Sequence, residues 1–281
     1  PTFMKKTYLF LMMFLGATLF SFAQHYTQQQ TITDPDEGVS VITKTSAAAP
    51  AIDPEFITGG SAKGPEVNWQ FNEPAGIGSQ IKVSGEAGYT FNSWWLNNER
   101  VSLYESTATP FWETPIDTEW EYPIDMTPDG EFLTVGYDSV VQVYSSSTQQ
   151  LVWEKITDAT IIGTLINEAG TMVYAVENMP GGQNKVNVSA YEVGEDDPVW
   201  QTGFSGTGTA FAGSGDRSVL AFCQYSGINK MWVIDAENGD VVFDAFYKNQ
   251  NPPGLSYDGK VIVAGDYSGY AYLYEYDDEL E

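Results

Sequence analysis

Two residue types that serve catalysis and metal binding are almost missing from this chain. Its 281 residues include one cysteine, Cys223, and one histidine, His25. One thiol forms no internal disulfide and no four-cysteine zinc site. Because His25 precedes the region predicted to fold, histidine-dependent nucleophilic catalysis is excluded there. Cys223 lies in the apolar run SVLAFCQY, which predicts a buried position in a strand.

Positive charge is also scarce. Lys and Arg number 12 against 38 Asp and Glu, and the formal net charge is −26. A chain this acidic repels phosphates and anionic lipid headgroups, so no nucleic-acid partner is predicted. The acids are scattered through turns and strand ends. They form no pair suited to glycoside hydrolysis and no calcium loop, so no catalytic residue, metal or cofactor is predicted.

One long apolar run is present, at the start. Met4-Lys5-Lys6 is followed by an apolar stretch, and Ser21-Phe22-Ala23 offers the small residues of a cleavage site. Residues 1–23 are therefore predicted to be a secretory signal peptide, with residues 1–3 extraneous to it. A membrane anchor is disfavoured because the run is short and no charge cluster follows it. We expect a secreted, periplasmic or cell-surface protein with no membrane insertion after cleavage.

A regular repeat dominates the rest of the sequence. Aromatic residues recur at intervals of 43, 41, 47 and 43 residues: Trp69, Trp112, Trp153, Trp200 and Phe243. Turn glycines keep step with them, including Gly130, Gly170 and Gly259. Short apolar strands between tight turns, with a period in the low forties, are typical of a β-propeller. The sequence predicts an all-β fold, a β-propeller of four-stranded antiparallel blades.

The propeller is predicted to occupy residues 66–281, after a polar, flexible leader at residues 24–65. About five blades are visible, and the last lacks its outer strand. In one interpretation, EVNWQF around Trp69 supplies that strand and closes a five-bladed ring. In the other, which we favour, the chain is a truncated seven- or eight-bladed propeller. The repeated aromatic residues are interpreted as packing between blades and not as a ligand cage.

Two phrases carry a resemblance to known families. MWVIDAENGDVVFDAF, residues 231–246, resembles the repeat of PQQ-like (quinoprotein alcohol dehydrogenase-like) propellers. LSYDGKVIVAGDYSGYAYLYEY, residues 255–276, resembles the WD40-like repeat of secreted bacterial proteins. The resemblance implies a propeller fold, and such repeats serve enzymes, scaffolds and binding proteins alike. Quinoproteins of this family hold PQQ through an adjacent cysteine pair, which this chain lacks, so no PQQ is expected.

The favoured function is a secreted, non-catalytic binding or scaffold module for a protein or glycan partner. The alternative is the propeller portion of a larger secreted enzyme, a glycan-active hydrolase or a dehydrogenase, whose active site is completed by further sequence. The longest insertion between strands is interpreted as a possible partner-contact loop. That loop contains Asn178, Pro180, Gly181, Gln183 and Asn184.

Overall fold

A computed structural model gives the fold of the chain. It describes residues 5–9, 32–34, 39–41, 77–85, 88–95, 99–105, 109–116, 123–180, 185–224, 229–247, 251–265 and 271–275. All regular elements in these ranges are β-strands, as predicted. The chain divides into two compact units, one formed by Pro1–Asn68 with Lys260–Glu281 and the other by Trp69–Gly259. We call them unit 1 and unit 2.

The described strands, in chain order, are β1 (Lys5–Leu9), β2 (Ile32–Asp34), β3 (Val39–Val41), β4 (Ile77–Val83), β5 (Thr90–Trp95), β6 (Arg100–Tyr104), β7 (Trp112–Pro115), β8 (Ile124–Met126), β9 (Phe132–Tyr137), β10 (Val140–Ser145), β11 (Gln150–Ile156), β12 (Thr160–Ile166), β13 (Met172–Asn178), β14 (Lys185–Glu192), β15 (Pro198–Ser205), β16 (Gly208–Gly213), β17 (Val219–Gln224), β18 (Lys230–Asp235), β19 (Val241–Phe246), β20 (Gly254–Leu255), β21 (Val261–Gly265) and β22 (Ala271–Glu275).

Unit 2 contains four sheets, each made of four strands that follow one another in the chain. Their orders are β4-β5-β6-β7, β8-β9-β10-β11, β12-β13-β14-β15 and β16-β17-β18-β19. Every neighbouring pair is antiparallel. We call these sheets blades 1 to 4. They correspond to the first four predicted repeats, and the prediction of four-stranded antiparallel blades is confirmed.

The turn between the first and second strands of each blade is closed by a polar side chain. An oxygen of that side chain accepts a hydrogen bond from the backbone N–H five residues on, which pins the start of the second strand. The pairs, from blade 1 to blade 4, are Ser84 with Tyr89 at 2.8 Å, Thr127 with Phe132 at 3.0 Å, Asn167 with Met172 at 3.0 Å and Ser214 with Val219 at 3.0 Å.

The core of unit 2 lies between the blades. Phe91 and Leu103 of blade 1 pack with Leu133 of blade 2 in one buried cluster. Similar clusters join blade 2 to blade 3 and blade 3 to blade 4. These clusters cover blades 2 and 3 on both faces, and the middle strands of those blades are buried along most of their length, as is β17 of blade 4. Cys223 lies in such a strand, and its predicted burial is confirmed. Burial raises the pKa of its thiol.

Unit 1 contains a hairpin of β2 and β3, and β22 paired antiparallel with both β21 and β1. The predicted fifth repeat is thus divided, since β20 belongs to unit 2 and β21 and β22 to unit 1. The strand beside β22 is Lys5–Leu9, which falls inside the predicted signal peptide. The pairing belongs to the uncleaved chain. Trp69 and His25 lie outside the described residues.

Candidate binding surface

The repeated tryptophans connect each blade to the next one. The Trp112 ring of blade 1 lies 5.0 Å from the ring of Tyr144 in blade 2. One blade further on, the Trp153 ring lies 5.9 Å from Tyr191. Trp153 and Trp200 are 6% and 9% exposed, whereas Trp112 is half-buried. Phe243, at the equivalent position of blade 4, is also half-buried.

The indole N–H groups add a directed contact. Trp153 donates to the carbonyl oxygen of Glu195 in blade 3 at 3.1 Å. Trp200 repeats the bond with Ala236 of blade 4 at 3.0 Å. In both cases the acceptor lies at the turn after the third strand of the following blade. Since the polar edge of each ring is used and its body is buried, these two tryptophans serve blade packing.

A second repeated contact was missed by the sequence analysis. In each of the four described blades of unit 2, the residue that follows the repeated aromatic residue is polar and bonds to a side chain of the third strand. The pairs are Glu113 with Arg100 at 3.3 Å, Glu154 with Gln142 at 2.7 Å, Gln201 with Ser189 at 2.9 Å and Asp244 with Lys230 at 2.6 Å. The phrases WE, WE, WQ and FD carried the signal.

The turn glycines fit closely against the preceding blade. Gly130, Gly170 and Gly259 have φ values of 74°, 69° and 70°, a region that favours glycine. A Cβ atom on Gly130 would overlap Tyr89, and one on Gly170 would overlap Phe132. These contacts run between turns of neighbouring blades. The turns between first and second strands therefore lie at one common end of unit 2.

Exposed acids concentrate at this end. We call the surface formed by the turns after the first and third strands the turn face. It carries exposed carboxylates on successive turns: Asp129, Glu168, Glu195, Asp196, Asp197, Glu237, Asp240 and Asp258. At the opposite end of unit 2, the exposed charges among the described residues include Asp138, Asp158 and Lys185. Among the described residues, exposed acids are thus distributed unevenly between the two ends.

Some of these acids also shape their turns. The Asp129 carboxylate accepts hydrogen bonds from the Thr127 hydroxyl at 2.6 Å and from the Glu131 N–H at 3.0 Å, and these bonds lower the pKa of Asp129. Asp258 accepts a hydrogen bond from the Ser256 hydroxyl at 2.7 Å. Both aspartates directly precede the predicted turn glycines, Gly130 and Gly259.

A cluster of charged side chains around one buried aspartate lies beneath the turn face. Asp125, in β8 of blade 2, is 2% exposed. Its carboxylate is 2.7 Å from the guanidinium of Arg217 in blade 4 and 3.4 Å from Lys82 Nζ in blade 1. The Ile166 N–H of blade 3 donates to the same carboxylate at 3.1 Å. One carboxylate therefore connects all four blades of unit 2. The repeat pattern does not predict this contact, because none of its residues recurs.

A second buried carboxylate lies between blades 2 and 3. Glu177 is 3% exposed and accepts a hydrogen bond from the Tyr191 hydroxyl at 2.6 Å. Gln201 Nε2 lies 3.4 Å from its other oxygen. Burial raises the pKa of Glu177, and the bond from Tyr191 partly opposes that effect. The group is enclosed by protein side chains, so its position is that of a structural residue.

The predicted contact loop is only partly described. The Asn178 side chain donates to the Gly208 carbonyl at 3.2 Å and accepts from the Gly208 N–H at 2.8 Å, so it fastens blade 3 to blade 4. Pro180 is exposed. Gly181, Gln183 and Asn184 lie outside the described residues. The role of the loop in partner contact stays a prediction.

Neither a metal-binding cluster nor a membrane-spanning helix is present in the described part of the chain. No group of three or more His, Cys, Asp or Glu among those residues is arranged to hold a metal ion. No described helix has the length and apolar character needed to cross a membrane.

Solved structures with the same fold show what the chain is similar to. The β-propeller domain of Cps50 (Swd1) from Myceliophteria thermophila matches 69% of this chain with a TM-score of 0.52 and 10% identity, and the match spans 65% of that domain. A chain of the mitotic checkpoint complex matches 74% with a TM-score of 0.51 and 10% identity, over 80% of its own length. No family model and no curated protein matches. The likenesses show a β-propeller fold.

Proposed function

We propose that this chain is a secreted, non-catalytic propeller that binds a protein partner, and that the turn face receives a basic surface of that partner. The uneven distribution of exposed charge between the two ends of unit 2, within the part of the chain that the structure describes, is the observation that carries the proposal. Carboxylates on successive turns produce a negative potential over one end, which attracts a positively charged surface and speeds encounter with it.

The rigidity of the turn face supports this assignment. Its turns are held by side-chain bonds such as that from Thr127 to Asp129, and by contacts between blades such as that of Trp153 with Glu195. A surface that is already ordered loses little conformational freedom on binding. One of the two similar chains belongs to the mitotic checkpoint complex, which is an assembly, and this supports a binding role.

Secretion rests on the residues themselves. A basic start, an apolar stretch and small residues before Gln24 are the three parts of a signal peptide. Mass spectrometry of the protein recovered from the periplasm or medium of a bacterial host should give a chain that begins at Gln24. An uncleaved amino terminus would contradict the proposed secretion and leave the binding proposal standing.

Charge-neutralising variants test the turn face. The variant Glu195→Gln, Asp196→Asn, Asp197→Asn removes three exposed charges from one turn and keeps their backbone oxygens, which accept the bonds from Trp153 and Lys155. The matched control, Asp138→Asn with Asp158→Asn, removes exposed charge at the opposite end. Binding of an arginine- and lysine-rich peptide to the full chain is measured by calorimetry at several salt concentrations.

We expect the turn-face variant to bind the peptide about tenfold more weakly than the wild type, and the control variant to bind it as the wild type does. The affinity of the wild type should fall as salt is added, because exposed charges are screened. Equal losses in the two variants, or no binding of the basic peptide to the wild type, would overturn the proposal.

A further inference from the structure

One aromatic side chain on the turn face is unusually exposed. Tyr257 occupies the turn Ser256-Tyr257-Asp258-Gly259, and 66% of its surface is open to solvent. Exposed aromatic side chains at ordered positions are frequent anchors in protein interfaces. Among the described residues, Phe246 has a similar exposure, 60%. It lies at the last position of β19, at the end of unit 2 opposite the turn face.

Tyr257 is held in place despite its exposure. Its hydroxyl donates a hydrogen bond to the Glu168 carboxylate of blade 3 at 2.6 Å. Its backbone carbonyl accepts from the Asp216 N–H of blade 4 at 2.9 Å. Gly215 also contacts the ring so closely that a Cβ atom at this glycine would overlap it. A solvated tyrosine fixed by contacts to two blades is pre-organised for binding.

The surroundings define the charge of a suitable ligand. The carboxylate of Glu168 is bonded to the tyrosine hydroxyl. Asp258 belongs to the same turn as Tyr257, and Asp216 to the adjoining turn of blade 4. The face of an aromatic ring attracts a cation through its quadrupole, and neighbouring carboxylates add to that attraction. Anionic and neutral ligands gain nothing comparable at this position.

We propose that Tyr257, with Glu168 beside it, is a seat for the guanidinium or ammonium group of an arginine or lysine side chain presented by a basic protein segment. The inference deepens the proposed function and rests on it. The ring supplies a surface for the cation, Glu168 fixes the ring and contributes charge, and the surrounding turn acids select against other segments.

The test uses the full chain and two short peptides, one rich in arginine and lysine and one with glycine and serine in their place. Tyr257→Ala removes the ring, whereas Tyr257→Phe keeps the ring and removes the bond to Glu168. Phe246→Ala is the matched control, since it removes an equally exposed ring elsewhere. Binding is measured by calorimetry, and circular dichroism melting checks that each variant is folded.

We expect Tyr257→Ala to weaken binding of the basic peptide roughly two- to fivefold, the effect of an exposed cation–π contact. Tyr257→Phe should lose less, and Phe246→Ala should match the wild type. If Tyr257→Ala bound the peptide as tightly as the wild type, while the variant at Glu195, Asp196 and Asp197 was still weakened, the proposed Tyr257 site would be wrong. The proposed role of the acidic turn face would remain. No binding of the basic peptide to the wild type would overturn both.

Discussion

The blade interfaces differ between their outer part, beside the fourth strands, and their inner part, beside the first strands. In the outer part, the same contact recurs from blade to blade, as the indole bonds of Trp153 and Trp200 show. In the inner part, Asp125 and Arg217 meet once, across 92 residues of sequence. The outer contacts set the distance and angle between neighbours, whereas the inner cluster connects blades that are not neighbours. The repeat thus specifies how blades stack, and single residues specify how this set of blades is joined.

The largest effect is expected from the outer contacts. Trp200→Ala should lower the free energy of unfolding by roughly 3–5 kcal/mol, because a buried ring and an indole hydrogen bond to Ala236 are both lost. The half-buried Trp112 should give a smaller loss on the same substitution. Denaturant titration measures both. Val199→Ala, at an exposed position beside Trp200, is the control and should stay within about 0.5 kcal/mol of wild type. Equal losses for Trp200→Ala and Val199→Ala would contradict the packing role of Trp200.

The inner cluster is expected to come second. Arg217→Met should cost roughly 2–3 kcal/mol, because the buried Asp125 loses its guanidinium partner. Lys230→Met breaks the repeated outer ion pair with Asp244, in which both side chains are more than a third exposed, and should cost under about 1 kcal/mol. If the two losses were alike, the distinction between inner and outer contacts would fail.

The turn glycines give a third comparison. Gly170→Ala should cost about 2 kcal/mol, because the new methyl group meets Phe132 and the backbone has a positive φ. Gly88 has a φ of 70° at the equivalent turn of blade 1, with no heavy atom within 4 Å of a built Cβ. Gly88→Ala therefore reports the backbone strain alone, about 1 kcal/mol. Identical melting temperatures of the two variants would rule out the close contact.

The smallest effect concerns the buried Glu177. Its pKa is raised in the folded state, so the folded state binds more protons and stability falls as pH rises from the unfolded pKa through the folded one. Glu177→Gln should be slightly more stable than wild type at pH 7, and that advantage should shrink toward pH 4. Denaturant titrations at several pH values measure this, with Glu154→Gln, an exposed carboxylate of blade 2, as the control. If the stability advantage of Glu177→Gln grew as the pH fell, the raised pKa of Glu177 would be contradicted.

The sequence was enough to predict the fold because the fold is periodic. Aromatic residues such as Trp153 and turn glycines such as Gly170 recur at the same place in each blade, so spacing alone located them. Asp125, Arg217 and Glu168 occur at unrepeated positions, and their partners are distant in the chain. Their contacts depend on how the blades pack, which no local pattern records. The acid-rich turn face was missed for the same reason, since its residues come from separate turns.

The indole bonds of Trp153 and Trp200 to the next blade have a consequence for how such a chain changes over evolutionary time. Trp153 and Trp200 each donate forward along the chain, to Glu195 and Ala236. Each such blade donates from one face and accepts on the other. The following blade therefore presents the acceptor carbonyl that the indole of the preceding blade needs. Duplication of the gene segment for one blade then inserts a copy whose outer contacts match those of both its neighbours. The outer contacts therefore allow the number of blades to change by gene duplication or deletion.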